Sequence, residues 1–174
     1  MTQAYKFPFI TRAPCVPLVL GLLVIFVSGV SVQSAENKIP ENAKAVLENA
    51  DRFELLSLAP ERQQEKSKGE FDGWTVLGKT LIPDAEGRRR LLAALEKGIK
   101  EHDGPVAACF NPRHGVRATH QGKAADLVIC FECVQGQVYV AGKREGGFLT
   151  TRSPEPVFDR ALRDAKVPLG PRPN

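Results

Sequence analysis

Residues 115–140, GVRATHQGKAADLVICFECVQGQVYV, decide the fold. Short runs rich in strand-forming residues alternate here with two glycine-containing connections, Gln121-Gly122-Lys123 and Gln135-Gly136. Runs of this length joined by such short connections are typical of β-hairpins. The stretch therefore predicts an antiparallel meander with strands over 115–120, 125–134 and 137–140, preceded by a further strand over 106–110.

The flanking residues add helices and two more strands. Apolar residues at helical spacing predict a helix over 43–50, and strand formers predict strands over 53–58 and 74–82. Asp84 is placed as the N-cap of a second helix, and Ser153-Pro154 is a typical start for a third. We therefore predict an α+β fold, with a mostly antiparallel sheet of about five to six strands packed against two to three helices.

The N-terminus has the composition of an export signal. Residues 1–15 carry Lys6 and Arg12 without an acid, and they lead into an apolar run over 16–32 that ends at Gln33-Ser34-Ala35. This pattern predicts a signal peptide, although the run is also at the short limit for a membrane-spanning anchor. The chain should then be exported to the periplasm or the outer face of the inner membrane, touching the membrane only through this segment.

The sequence therefore predicts four parts of the chain. We predict a signal peptide or N-terminal membrane anchor over 1–35, a tether over 36–42, a single α+β domain over 43–170 and a tail over 171–174. Loss of the first 35 residues from the 174 would leave 139, which is enough for one domain with a single core.

Charge and motifs exclude several classes of function. The formal charge is +4, from 24 basic and 20 acidic residues, and removal of Lys6 and Arg12 would leave 22 against 20, a net of +2. Nucleic-acid binders usually carry a strong basic patch, so the expected partner is an unknown envelope protein or a small ligand. Nucleophile elbows, phosphate-binding glycine loops and catalytic carboxylate pairs are not recognisable in the sequence. A non-enzymatic protein is therefore favoured.

Three of the four cysteines lie within 25 residues, and His114 stands between the first two of them: the candidate cluster is Cys109, His114, Cys130 and Cys133. A two-residue turn near Gln121-Gly122 would place His114 beside Cys130, with Cys109 entering the same end of the sheet. Side chains alternate along a strand, so Cys130 and Cys133 would point to opposite faces. They can meet only if the strand bulges or ends early near Glu132.

Three interpretations of this cluster remain open. The four side chains have the composition of a closed Cys3His zinc site. Alternatively, Cys130 and Cys133 form a redox-active dithiol, although the helix N-terminus that usually lowers such a thiol pKa is not predicted here. The third interpretation is structural: a Cys109–Cys130 disulfide between neighbouring strands, worth about 3 kcal/mol, with Cys133 as a buried thiol.

Charged residues beside the cluster define a candidate ligand patch of Arg113, Arg117 and Glu132. Glu132 would share a face with Cys130, so a cationic partner is expected if that face is buried. Arg113 or Arg117 could provide it.

Three segments carry a resemblance to known sequences: CFNPRHG at 109–115, DLVICFEC at 126–133 and FDRALRDAKVPL at 158–169. The chain resembles an uncharacterised family of small exported bacterial proteins with the motifs C-F-x-P-R-H and I-C-F-x-C, followed by a short helix and a hydrophobic-Pro-Leu strap. The likeness covers about residues 45–170. It implies export and one compact α+β domain, and it adds no catalytic residue.

The sequence therefore supports two functional hypotheses. The leading one is an exported, non-enzymatic binding or structural module of the cell envelope, in which the cysteine cluster stabilises one corner. The alternative is a metal-binding (zinc) or thiol-redox protein that uses Cys109, His114, Cys130 and Cys133.

Overall fold

The computed structural model describes residues 37–62 and 70–172, which belong to one compact unit. These residues form three helices and one seven-stranded antiparallel sheet, with the strands in the order β2-β3-β1-β4-β5-β6-β7. The elements are α1 (Glu41–Glu48), β1 (Arg52–Arg62), β2 (Glu70–Phe71), β3 (Trp74–Leu81), α2 (Ala85–Lys100), β4 (His114–His120), β5 (Lys123–Cys130), β6 (Gln135–Val140), β7 (Lys143–Leu149) and α3 (Glu155–Asp164). The predicted α+β class is confirmed.

The second half of the sheet is the predicted meander. Strands β4 to β7 are neighbours in chain order, and β4 pairs with β5 so that His120 lies opposite Lys123. Gln121 and Gly122 form the two-residue turn, with positive φ angles of 47° and 78°. Two successive positive φ angles suit the right-handed twist of a hairpin, which is why a glycine stands in the turn.

One predicted strand is absent from the structure, and two strands, β2 and β7, were not predicted. Residues 102–113, including the predicted strand over 106–110, have no regular secondary structure. Pro105 and Pro112 flank that stretch, and proline cannot donate a hydrogen bond to a neighbouring strand. Conversely, β7 was not predicted, because its sequence KREGGFL combines charges with two glycines. Such residues are typical of an edge strand, which is the position of β7.

The three helices pack against one face of the sheet, here called the helix face. The main core lies between them and contains Leu91, Leu95 and Ile99 of α2 together with Phe158 and Leu162 of α3. The Asp84 side chain accepts a hydrogen bond from the N–H of Gly87, as expected of an N-cap. The start of α3 differs from the prediction, since the Ser153 hydroxyl contacts Thr151 instead of capping the helix.

The opposite face, here called the outer face, carries a smaller apolar cluster. It consists of Leu56, Leu58, Phe71, Trp74 and Val128, with Val76, Phe110 and Tyr139 packed against it. The Phe71 ring lies so close to β4 that a Cβ at Gly115 would come within 2.7 Å of it. Glycine at this position therefore allows the β2–β3 hairpin to cover the outer face.

The chain ends differ in part from the predicted boundaries. The segment before α1 is not a free tether from Asn37 onward, because Asn37 exchanges hydrogen bonds with the main chain of Leu149 and Ile39 is buried in the main core. The predicted signal or anchor over 1–35 lies outside the described residues, as do the last two residues of the tail. In the described part of the chain, the helices are too short or too polar to cross a membrane.

Candidate functional site: a corner of three cysteines

The turn that joins β5 to β6 holds two of the three clustered cysteines. Strand β5 ends at Cys130, and residues 131–134 form a tight turn in which Val134 has a φ of 52°. The Cα atoms of Cys130 and Cys133 thereby lie 5.1 Å apart, and their side chains form a disulfide. The strand therefore ends before Glu132. This is the early strand end that the sequence analysis required for Cys130 and Cys133 to meet.

The third cysteine, Cys109, is a free and exposed thiol in the loop before β4. Its Sγ lies 4.0 Å from the Sγ of Cys133. The predicted Cys109–Cys130 disulfide is therefore wrong, and so is the expectation of a lone thiol at Cys133. The reason is local: the four-residue turn brings Cys130 and Cys133 together, whereas the segment around Cys109 is a loop and not a neighbouring strand.

Gln135 holds the Cys109 loop against the disulfide. Its Nε2 donates hydrogen bonds to the carbonyl oxygens of Ala107 and Cys109, each at 3.0 Å. In the β5–β6 ladder the same residue lies opposite Cys130. One side chain therefore fixes the position of the free thiol relative to the disulfide.

Two backbone N–H groups donate to the sulfurs of the disulfide. The N–H of Asn111 lies 3.3 Å from Cys133 Sγ, and the N–H of Cys133 lies 3.1 Å from Cys130 Sγ. A hydrogen bond to the charged form of a group favours that form. Each donor would therefore stabilise a thiolate if the disulfide were opened at its sulfur.

His114 lies on the helix face of the sheet, away from the side chain of Cys130. It pairs with Ile129, one residue before Cys130, so alternation directs the two side chains to different faces. On the helix face, His114 Nε2 lies 2.9 Å from Asp159 Oδ1, and its ring contacts those of Phe131 and Phe158. The hydrogen bond with His114 and the nearby Arg163 hold the pKa of Asp159 below its usual value despite burial.

The predicted zinc ligands are therefore divided. Cys109, Cys130 and Cys133 meet at one corner with two of the three sulfurs in a disulfide, while His114 is buried against Asp159. Within the described residues, no group of three or more His, Cys, Asp or Glu side chains is placed to hold a metal ion. Zinc binding by a reduced form of the chain stays a prediction.

The residues of the candidate ligand patch have separate partners. Arg113 is 5% exposed and forms a buried ion pair with Glu155 of α3, and it also donates to the carbonyl of Gly170. Arg117 donates two hydrogen bonds to Asp126, at 2.8 and 2.6 Å. The expected pairing of one of these arginines with Glu132 depended on burial of Glu132. Glu132 is only half-buried in the β5–β6 turn, and both arginines pair with other carboxylates.

A carboxyl pair on the outer face was not predicted from the sequence. Asp72 occupies the two-residue turn between β2 and β3 with a φ of 49°, and it interacts with Asp126, the partner of Arg117. Burial and the negative charge of Asp126 raise the pKa of Asp72 to about 6. The Asp-Gly pair at 72–73 signals a hairpin turn, but the sequence does not show that the turn folds over Asp126, about fifty residues away.

A cleft of about 470 Å³ opens on the outer face and is lined in part by the loop that carries Cys109. Two of its walls are the side chains of Trp74 and Phe110, whose ring centroids are 5.8 Å apart in an edge-on arrangement. Its lining residues are Pro60, Glu61, Trp74, Phe110, Asn111 and Gln137. Phe110 and Asn111 directly follow Cys109, so the cleft and the free thiol share one loop.

Comparison with known proteins finds no matching family model, no matching curated protein and no matching solved structure. The resemblance based on the C-F-x-P-R-H and I-C-F-x-C motifs therefore stays a prediction. Function is therefore inferred from the geometry of the three cysteines and their surroundings.

Proposed function

We propose that this chain is an exported thiol–disulfide exchange protein, with Cys109 as the exposed thiol and Cys130–Cys133 as the stored disulfide. The observation that carries the proposal is the separation of 4.0 Å between the Sγ atoms of Cys109 and Cys133. This distance is close to van der Waals contact, so a small side-chain rotation brings the thiol to the disulfide. A purely structural disulfide has no need of a third cysteine held beside it.

The first step is an exchange within the chain. Cys109 loses its proton to solvent, and the thiolate attacks Cys133 Sγ. A Cys109–Cys133 bond forms, the Cys130–Cys133 bond breaks, and its electron pair leaves on Cys130 Sγ. The N–H of Cys133, 3.1 Å from that sulfur, stabilises the departing thiolate. The oxidation level of the chain does not change.

The second step transfers oxidising equivalents to a partner dithiol. A partner thiolate attacks the exposed sulfur of Cys109, and the electron pair of the Cys109–Cys133 bond moves to Cys133. The N–H of Asn111 lies 3.3 Å from that sulfur and stabilises this thiolate. The second partner thiol then attacks the mixed disulfide, so the partner gains a disulfide and the chain is left with three thiols.

Burial explains why Cys109 is needed. Cys130 and Cys133 are each 1% exposed, so an external thiol cannot reach the stored disulfide directly. Cys109 is exposed and can therefore connect the buried disulfide to a partner. In the competing hypothesis of a binding or structural module, the disulfide only fixes the turn and Cys109 has no reaction partner.

Disulfide mapping distinguishes these hypotheses. Tryptic cleavage places Cys109 in the peptide 101–113 and both other cysteines in the peptide 124–143. After acid quenching, we expect the full-length oxidised chain to yield a cross-linked 101–113/124–143 pair together with the internally bridged 124–143 peptide. The fraction of the cross-linked 101–113/124–143 pair should reach its equilibrium value faster as pH rises, because the thiolate of Cys109 is the nucleophile.

The Cys109→Ser variant provides the matched control for turnover. With a synthetic peptide dithiol as reductant, the oxidised wild type should form one peptide disulfide per chain. We expect Cys109→Ser to react at least about tenfold more slowly, because its disulfide remains buried. Equal rates for the two proteins, without a cross-linked peptide pair, would contradict the proposal and favour the structural hypothesis.

A further inference from the structure

We infer that the cleft beside Cys109 binds a cysteine-containing segment of a polypeptide partner, in which an apolar and a basic side chain lie next to the cysteine. The inference rests on the proposed exchange function and specifies its substrate class. It is carried by the position, shape and chemistry of the cleft lining.

The position of the cleft couples binding to reaction. Phe110 contributes a wall of the cleft and is the next residue after Cys109. Asn111 contributes a second wall, and its N–H donates to Cys133 Sγ. A segment in the cleft would therefore contact the two residues that follow Cys109, and one of them donates a hydrogen bond to Cys133 Sγ.

The size and apolar walls of the cleft suit a peptide side chain. A volume of about 470 Å³ falls in the range of small-ligand sites and has room for one large side chain with part of its backbone. Phe110 and Pro60, both half-buried, offer ring surfaces above the buried Trp74, and aromatic surfaces recur in peptide-binding grooves.

The polar lining favours a peptide backbone with positive charge. Asn111 and Gln137 present carboxamides, which can pair with backbone amide groups, and Tyr139 donates a hydrogen bond to Gln137 Oε1 that orients this side chain. Glu61 places an exposed carboxylate in the lining. This charge is complementary to a basic residue and unfavourable to glutathione, a small thiol with a net negative charge.

Matched probes test the inference on the oxidised full-length chain. The probes are the peptide acetyl-Leu-Phe-Cys-Lys-amide, its counterpart with glutamate in place of lysine, and glutathione. The readout is the rate at which each forms a mixed disulfide with Cys109, measured by mass spectrometry. We expect the lysine peptide to react about tenfold faster than glutathione and about threefold faster than the glutamate peptide.

Two variants assign any preference to the cleft. Glu61→Gln should abolish the difference between the lysine and glutamate peptides, because it removes only the charge of an exposed side chain. Phe110→Ala should slow both peptides about tenfold more than it slows glutathione. Leu77→Ala, at an exposed apolar position on β3, is the control and should change none of the rates.

A non-reactive peptide separates failure of the inference from failure of the proposed function. The peptide with serine in place of cysteine should still bind and alter the fluorescence of Trp74, the single tryptophan of the chain. Binding of this peptide without exchange by the cysteine peptide would support the cleft site and overturn the exchange function. Equal exchange rates for all three thiols, unaffected by Glu61→Gln and Phe110→Ala, would overturn the cleft site and leave the exchange function standing.

Discussion

At the scale of single residues, the Asp72 carboxyl makes stability depend on pH. Its pKa is raised to about 6 by burial and by Asp126, against about 4 in an unfolded chain. Between these values the folded state binds more protons, so stability falls as pH rises from 4 to 6 and stays lower above 6. We expect Asp72→Asn to be more stable than wild type by about 1 kcal/mol at pH 8, after discounting for partial solvent exposure, and by almost nothing at pH 4. Urea unfolding across this range measures the difference.

The control for this titration is Asp51, whose shift has the opposite sign. A hydrogen bond from the N–H of Gln121 lowers the pKa of Asp51, so its contribution to stability is present above pH 4 and lost as pH falls further. Asp51→Asn should therefore be less stable than wild type at pH 8.

Asparagine suits the positive φ at position 72, so backbone strain does not obscure the comparison of Asp72→Asn with wild type. A destabilised Asp72→Asn protein at pH 8 would refute the unfavourable carboxyl pair.

At the scale of elements, the turn between β5 and β6 gains only modest stability from its disulfide. The Cys130–Cys133 bond closes a loop with a sequence separation of 3, and the chain-entropy relation gives about 2 kcal/mol for so short a loop. We expect a reductant to lower the free energy of unfolding by about that amount, with the native fold retained. Urea unfolding with and without the reductant measures this change.

A Cys130→Ala/Cys133→Ala double variant is the control, because its stability should not respond to reductant. A loss much larger than about 2 kcal/mol in the wild type would mean that the disulfide holds more of the fold than its turn. That result would favour the hypothesis of a structural corner. A small loss fits a bond that can open repeatedly while the sheet stays folded.

The same elements show what can be predicted from sequence. Helices α1, α2 and α3 and strands β1 and β3 to β6 were predicted because their patterns are local: apolar residues at helical spacing, β-branched runs and glycine turns. The hairpin at Gln121-Gly122 also gave the register of β4 against β5 to within one residue. Strand β7 was missed because its stability comes from pairing with β6 and not from its own composition.

Long-range side-chain pairs were the part of the site that could not be predicted. Alternation along β5 raised the difficulty that the early strand end resolves. The sequence predicted a cluster of Cys109, His114, Cys130 and Cys133, in which the three cysteines do meet and His114 does not. It carried no signal that His114 would pair with Asp159, 45 residues later. Gln135 likewise gives no sign in sequence that it holds the Cys109 loop.

At the scale of the whole molecule, the main core and the exposed thiol belong to different regions, and Phe131 of the disulfide turn is a contact between them. The helix face holds the main core and the buried polar pairs that dock α3, including the Arg113–Glu155 ion pair and the hydrogen bond between His114 and Asp159. The outer face holds the aromatic cleft, and the disulfide turn and the Cys109 loop lie beside it at one end of the sheet. A change that loosens the docking of α3 should therefore lower stability without changing the exchange chemistry of Cys109.

Glu155→Gln tests this separation. The Arg113 guanidinium, 5% exposed, would lose its carboxylate and keep the Gly170 carbonyl, so the variant should lose about 3 kcal/mol of unfolding free energy. Adding Arg113→Met should restore part of this loss, because no unpaired charge then remains buried.

Asp164→Asn, on the exposed side of α3, is the control and should change stability little. Urea unfolding gives the stabilities, and disulfide mapping gives the Cys109–Cys133 exchange rate. An exchange rate that falls in Glu155→Gln under conditions where the protein is fully folded would show that the two faces are coupled.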